Sequence, residues 1–497
     1  MNMLIVAPIL IPFVTAIVSL LFPNRWGKVF SVLGATGLLA AALALLNLVH
    51  QTGIQVMQIG NWPAPFGISI VVDMFSAIMV LFAGIIGFVI SIYSFYSIDP
   101  KRHAFGYYAL FHIMLMGVNG AFTTGDIFNM YVWFEVLLIA SFVLMVLGGE
   151  RPQIEGAVKY VTLNLLSSTF FLVAIAVLYG KLGTLNLADL AVRVSQSYDD
   201  TLVKTASILL LGAFGIKAAI FPLYFWLPAS YHTPPPAVSA MFSGLLTKVG
   251  VYALIRAFTL IFIWDRAVTH NALLIIAGLT MFFGVIGAAV EYDFRRLLSF
   301  HIISQIGYMI MGLGLFSKLA LAGAVFYIFH NILAKTNLFL ISGLVHHMQG
   351  TYALKKLGGL YKKQPLLGIL FIIPAFALAG IPPLTGFWGK FILVKAGLSL
   401  QGYVIVAVAL FVSLFTLFSM TKIWSEVFWK PAPSDTQPPR KKDKVYVTML
   451  VSIVLMSGLI VVMSLYAEPF LNISFEAAEQ LANPSIYIQS VLGESAP

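Results

Sequence analysis

Six side chains stand in surroundings that resist them. Glu135 lies in Tyr131-Val-Trp-Phe-Glu-Val-Leu-Leu, Lys217 in Gly215-Ile-Lys-Ala-Ala-Ile and Lys248 in Leu246-Thr-Lys-Val-Gly. His330 and Lys335 share one apolar run, and Lys390 follows Gly386-Phe-Trp-Gly. An ionised group inside a hydrocarbon layer costs several kcal/mol unless it is paired, hydrated or neutralised. Low dielectric favours the neutral form of a lysine, so buried lysines can exchange protons near neutral pH. A single Glu–Lys pair could serve helix assembly alone. Five cationic or titratable groups with one deep acid among them fit a proton relay better.

The elements that hold these residues follow from composition. Of 497 residues, 60% are hydrophobic and only 10% charged, with a mean hydropathy of +0.95. Water-soluble domains carry roughly 25% charge, so a soluble globular protein is excluded. The 40 glycines and 23 prolines show no collagen-like period, and cysteine is absent, which removes disulfides, thiolate metal sites and cysteine-ligated clusters. A net charge of +10 comes from 29 Lys and Arg scattered through short loops. There is no concentrated basic face of the kind nucleic acid needs.

Apolar runs near 3–22, 29–50, 72–96, 104–122, 126–148, 156–180, 204–230, 236–262, 271–290, 298–316, 319–347, 365–397, 402–429 and 446–467 predict an all-α polytopic membrane protein with 14 transmembrane helices. Met1 to Phe22 lacks a basic leader and reads as a retained first span. Loop charges alternate. Arg25, Lys28, Lys101, Arg102, Arg151, Arg295, Arg296, Lys355, Lys356, Lys362, Lys363 and the 430–445 segment with Arg440, Lys441, Lys442 and Lys444 fall on one side. The other side holds only Lys181, Arg193, Lys204, Arg266 and Lys318, and the tail after the last span only acids. The positive-inside rule makes the first set cytoplasmic and puts both termini outside, as an even span count requires. The Pro- and Lys-rich 430–445 loop reads as a solvated topology signal.

Two runs are interrupted by prolines: Lys217-Ala-Ala-Ile-Phe-Pro-Leu-Tyr-Phe-Trp-Leu-Pro, and Pro374 through Gly380-Ile-Pro-Pro-Leu-Thr-Gly-Phe-Trp-Gly-Lys390. Proline frees backbone carbonyls, and broken membrane helices in matching positions mark transport sites. Lys217 and Lys390 are 173 residues apart, and Lys248 and Lys422 are 174 apart. Five spans separate each pair, so the second copy is inverted. The chain divides into an N-terminal three-helix segment (1–100), two inverted five-helix repeats with one broken helix each (101–265 and 266–430), and a basic loop, last span and tail (431–497). The same step from Glu135 lands on Tyr308, so the second repeat has no matching acid. Lys422 near a span end serves topology as readily as transport, and His301 reads equally as relay terminus or helix-end chemistry. The adjacent His346 and His347 have poor metal geometry. No nucleotide-binding pattern appears, and no cofactor is expected.

Lys217-Ala-Ala-Ile-Phe-Pro-Leu-Tyr-Phe-Trp-Leu-Pro-Ala, Pro236-Ala-Val-Ser-Ala and Gly244-Leu-Leu-Thr-Lys-Val-Gly-Val-Tyr resemble the signature of proton-translocating antiporter-like subunits. These occur in respiratory complex I, membrane-bound hydrogenases and Mrp-type cation/proton antiporters. Asp293-Phe-Arg-Arg-Leu-Leu, Ser304-Gln-Ile-Gly-Tyr, His330-Asn-Ile-Leu-Ala-Lys335 and Gly380-Ile-Pro-Pro-Leu-Thr-Gly-Phe-Trp-Gly-Lys-Phe extend the resemblance over about residues 70–400. Length and Lys390 make the chain most similar to the D-type subunits of the Mrp multisubunit sodium/proton antiporters, with the complex I N-type subunits next. The resemblance implies an ion pair of Glu135 with Lys217. It further implies a hydrated mid-membrane axis through Lys248, His330, Lys335 and Lys390, partner subunits in a hetero-oligomer, and a bacterial cell membrane. A redox-driven pump subunit and a structural scaffold are the competing readings. No sodium site is legible.

Overall fold

The computed structural model describes residues 3–22, 25–433 and 443–493. Pro23 and the basic cluster Arg440, Lys441 and Lys442 lie outside the described residues, as does Glu494. Eleven helices are long and apolar enough to cross a membrane, and Ala7–Leu21 and Pro365–Ala379 are shorter apolar helices. With Tyr107–Thr123 they occupy all fourteen expected positions.

In chain order the helices are α1 (Ala7–Leu21), α2 (Arg25–Thr52), α3 (Met74–Ser97), α4 (Tyr107–Thr123), α5 (Ile127–Val146), α6 (Arg151–Leu182) and α7 (Thr201–Ala218). They continue as α8 (Pro236–Ile261), α9 (Arg266–Val290), α10 (Phe294–Leu315) and α11 (Lys318–Gln349). The last are α12 (Pro365–Ala379), α13 (Thr385–Ser399), α14 (Tyr403–Trp429), α15 (Lys444–Leu465), α16 (Ala467–Ala482) and α17 (Pro484–Leu492). Side-chain caps start many of them. Asp73, Asp126, Asp293, Ser317 and Asp443 accept from backbone N–H groups of the first turns of α3, α5, α10, α11 and α15. Each supplies an acceptor to donors that the helix cannot satisfy itself.

Loops expected on one side meet there. Arg102 pairs with Glu150 at 2.7 Å, Asp293 bridges Ala353, and Lys430 reaches the Lys355 carbonyl. At the opposite end His50 pairs with Glu476 at 2.8 Å, Lys318 pairs with Glu479, and Asp126 bridges Asn186. This end carries two features that apolar periodicity did not predict. Residues 55–72 contain an antiparallel hairpin, β1 (Gln55–Gln58) with β2 (Ser69–Val72). The acidic tail folds into α16 and α17, with Gln480 accepting from the Met74 N–H at 2.8 Å.

Burial sorts the bundle. α8, α10 and α11 are enclosed on nearly every side, whereas α2, α6, α9, α14 and α15 turn apolar faces outward. The central three carry Lys248, His301, His330 and Lys335, groups that protein and not lipid must surround.

Both interruptions are real breaks. α7 ends at Ala218, and Ala219 takes a positive φ of 60°. The chain then runs without regular helix to Trp226–Ser230, whose Trp226 indole N–H donates to the Ile216 carbonyl at 3.0 Å. α12 ends at Gly380 (φ 89°) and α13 starts at Thr385. π-helical turns close α8 (Ala257–Ile261) and α14 (Trp424–Trp429), the eighth and thirteenth spans.

Candidate functional site

The first break places Lys217 in the last turn of α7, against Phe134 and near Glu135 of α5. The ammonium lies 5.8 Å from the Phe134 ring centre and within electrostatic reach of Glu135. The implied ion pair is not closed. No Glu135–Lys217 contact falls within salt-bridge distance among the described residues, and Glu135 Oε1 is buried without a hydrogen-bond partner. Beside them is a cavity lined by Leu138, Tyr160, Asn164, Lys217, Trp226 and Gly250, with room for about one water molecule. Glu135 and Lys217 are both partly exposed, unlike the lysines further in.

Lys248 follows a π-helical turn, Phe242–Leu246, within α8. Its ammonium is fully buried and donates to the Ser243 carbonyl at 2.5 Å. A π turn leaves carbonyls out of the regular ladder, and here one is used by the lysine. Lys335, also fully buried, donates to the Leu298 carbonyl at 3.2 Å and lies within electrostatic reach of Lys248. The neighbouring Thr336 reaches the Ala240 carbonyl at 3.5 Å, so α11 is seated against the irregular part of α8.

The second break gathers the rest. Lys390 donates to the Leu378 and Ala379 carbonyls at 3.0 and 3.1 Å and to Ser413 Oγ at 3.0 Å. The lysine thus caps carbonyls released where α12 stops. His330 Nδ1 lies 2.8 Å from Thr385 Oγ1 on the first turn of α13, and its Nε2 is buried without a partner. The structure therefore brings His330 and Lys390 to one helix break. It joins Lys248 to Lys335 and leaves Glu135 with Lys217 at the other break.

His301, left ambiguous by sequence, is a buried member of this row. It is fully enclosed, both ring nitrogens lack partners, and Lys335, Lys390 and Lys422 all lie within electrostatic reach. Its place seven residues past the start of α10 resembled a helix end, and only the position of α10 between α9 and α11 buries it. Lys422 donates to the carbonyls of Ala288, Ala289 and Glu291 at 3.3, 2.8 and 2.7 Å, so it caps the end of α9. His346 stacks on Tyr352 while His347 faces Asp443, and the two do not converge. No cluster of three or more His, Asp or Glu occurs among the described residues.

A bundle whose central helices carry buried bases beside two interrupted helices is the architecture of a polytopic transport protein. The chain belongs to the NADH:quinone oxidoreductase/Mrp antiporter transmembrane family, whose model matches residues 124–416, and within it to the D-type antiporter subunits. It is 47% identical over 99% of its length to the whole of the Na(+)/H(+) antiporter D subunit of Alkalihalophilus pseudofirmus. Its identity to the protein of that name from Bacillus subtilis is 40%, over 99% of this chain and 100% of the relative. A chain in the structure of the Mrp complex from Dietzia sp. superposes with a TM-score of 0.92 at 31% identity, covering 99% of this chain and 100% of that one.

Proposed function

We propose that this chain is the D-type subunit of a multisubunit sodium/proton antiporter, working with other subunits in a hetero-oligomer of the bacterial cell membrane. Its role is to carry protons along a row running from Glu135 and Lys217 through Lys248 and Lys335 to His330 and Lys390. His301 stands beside the second half. Repeats 101–265 and 266–430 each supply one broken helix, and the basic loops face the cytoplasm with both termini outside. No cofactor enters this scheme.

The observation that carries the reading is the way three lysines are held. Lys248, Lys335 and Lys390 are each bound by backbone carbonyls, and none forms an ion pair among the described residues. A buried carboxylate partner would pin the charge. Carbonyl dipoles stabilise an ammonium while leaving it free to lose its proton. Charges about 10 Å apart at an effective dielectric of 20 interact by on the order of 1–2 kcal/mol, about one pKa unit. Loading one site therefore biases the next, and cation exchange supplies the direction.

The test is cation-dependent proton exchange in inverted vesicles from cells expressing the whole complex, with and without Glu135→Ala and Lys217→Ala. Sodium-dependent exchange lost in both variants, with assembly intact, is the expected result. Full exchange in both would refute the relay.

A further inference from the structure

In the first repeat a carboxylate faces the lysine at the helix break. Stepping 173 residues from Lys217 gives Lys390, and the same step from Glu135 gives Tyr308. The structure brings this second pair together. The Lys390 ammonium lies 4.7 Å from the Tyr308 ring centre, and Ser413 of α14 touches both.

The hydrogen-bond directions are fixed by donor count. Tyr308 has one hydroxyl hydrogen, which it gives to the Ala409 carbonyl at 2.5 Å. Ser413, 2.9 Å from the Tyr308 oxygen, must then donate to it, and Ser413 in turn accepts from Lys390. The chain runs one way, from ammonium to serine to phenol to carbonyl. It ends at an amide oxygen that takes no proton onward, so it is a clamp and not a conduit.

We infer that Tyr308, anchored through Ser413 and Ala409, is the positioning counter-group of Lys390, a neutral aromatic face where the first repeat has the carboxylate of Glu135. This rests on the proposed role of Lys390 in proton transfer. The remaining groups around Lys390 are the Leu378 and Ala379 carbonyls of α12, with His330 of α11 and His301 of α10 within electrostatic reach. Among the described residues none of these neighbours is an acid. The ring face is thus the main aromatic or anionic partner of the ammonium. A desolvated cation–π contact of this kind favours the charged form by about 2- to 30-fold. The two ends of the row therefore hold their protons differently, one against a fixed charge and one against a quadrupole.

The test uses the complete complex in vesicles and reads proton exchange against pH for Tyr308→Leu, Tyr308→Phe, Tyr308→Glu and Lys390→Ala. Removing the ring destabilises the ammonium, so Tyr308→Leu moves the alkaline limb of the profile to lower pH, by about 0.3 to 1.5 units. Tyr308→Phe keeps the face and moves it less than half as far. Tyr308→Glu restores a carboxylate and moves it to higher pH. The inference is overturned if Lys390→Ala abolishes exchange while the profiles of assembled Tyr308→Leu and Tyr308→Glu stay at the wild-type position. Should the leucine variant not assemble, the glutamate variant decides by its sign. Full exchange in Lys390→Ala overturns the relay role of Lys390, and this inference with it.

Discussion

Gly250 is the narrowest contact at the first break, and Gly250→Ala is the sharpest probe of how Lys217 is held. A Cβ there would lie 2.5 Å from the Ala218 nitrogen, 2.7 Å from the Lys217 carbonyl carbon and 2.9 Å from the Ala218 Cα. All three are backbone atoms, so no rotamer change relieves the overlap. Reaching ordinary contact requires α8 to move away from the end of α7 by about 1 Å. Overpacking of this kind costs about 1–3 kcal/mol, which for a large chain lowers the melting temperature by a few degrees. The displacement also changes the geometry between Lys217 and Lys248, since both flank this contact. Thermal unfolding of the purified complex and exchange in vesicles are the two assays, and exchange is expected to fall several-fold. Gly180→Ala is the control. Gly180 is in the last turns of α6 with nothing within 4 Å of a built Cβ. That change is expected to be neutral or stabilising by up to about 1 kcal/mol. Wild-type stability and full exchange in Gly250→Ala would show that the close approach does not set the position of Lys217.

Two further outcomes concern the end that carries α16 and α17. Asp73 Oδ2 and Arg256 Nη2 are 2.6 Å apart with both side chains buried, and Arg256 also lies over the Tyr487 ring of α17 at 5.1 Å. Arg256→Met leaves the buried Asp73 carboxylate without its ion-pair partner, held only by the Ser76 N–H among the described residues, and should cost about 3–5 kcal/mol in thermal or denaturant unfolding. Adding Asp73→Leu should recover part of that loss. Asp126, the cap just ahead of α5, has its carboxyl pushed up to about 6 by burial, against the hydrogen bonds from the α5 N-terminus. A raised acid is penalised only when charged, so the penalty is absent below about pH 4 and complete above about pH 6, about 3 kcal/mol in all. Asp126→Asn keeps the cap. It should raise the melting temperature at neutral pH and flatten its dependence between pH 4 and 6; an unchanged slope would refute the assignment.

The sequence by itself determined the class of protein, the number and place of the spans, their alternation and the two breaks. These are local properties. A run of about 20 apolar residues cannot be satisfied in water, and a proline cannot continue a helix ladder wherever the run is packed. Lys217, Lys248, Lys335 and Lys390 were legible because a charge within such a run stands out from its neighbours. The tertiary structure alone decided which helix packs against which, because contacts between distant spans are not encoded in any one run. The packing of α10 buried His301 and set the Tyr308 ring against Lys390, and the approach of α14 to α9 turned Lys422 into a helix cap. Packing also left Glu135 and Lys217 outside salt-bridge distance, with the Lys217 ammonium 5.8 Å from the Phe134 ring centre. The tail behaved likewise. Its acids were visible, but α16 and α17 form because α3, α11 and Arg256 offer them a surface, and no run of residues encodes that surface locally.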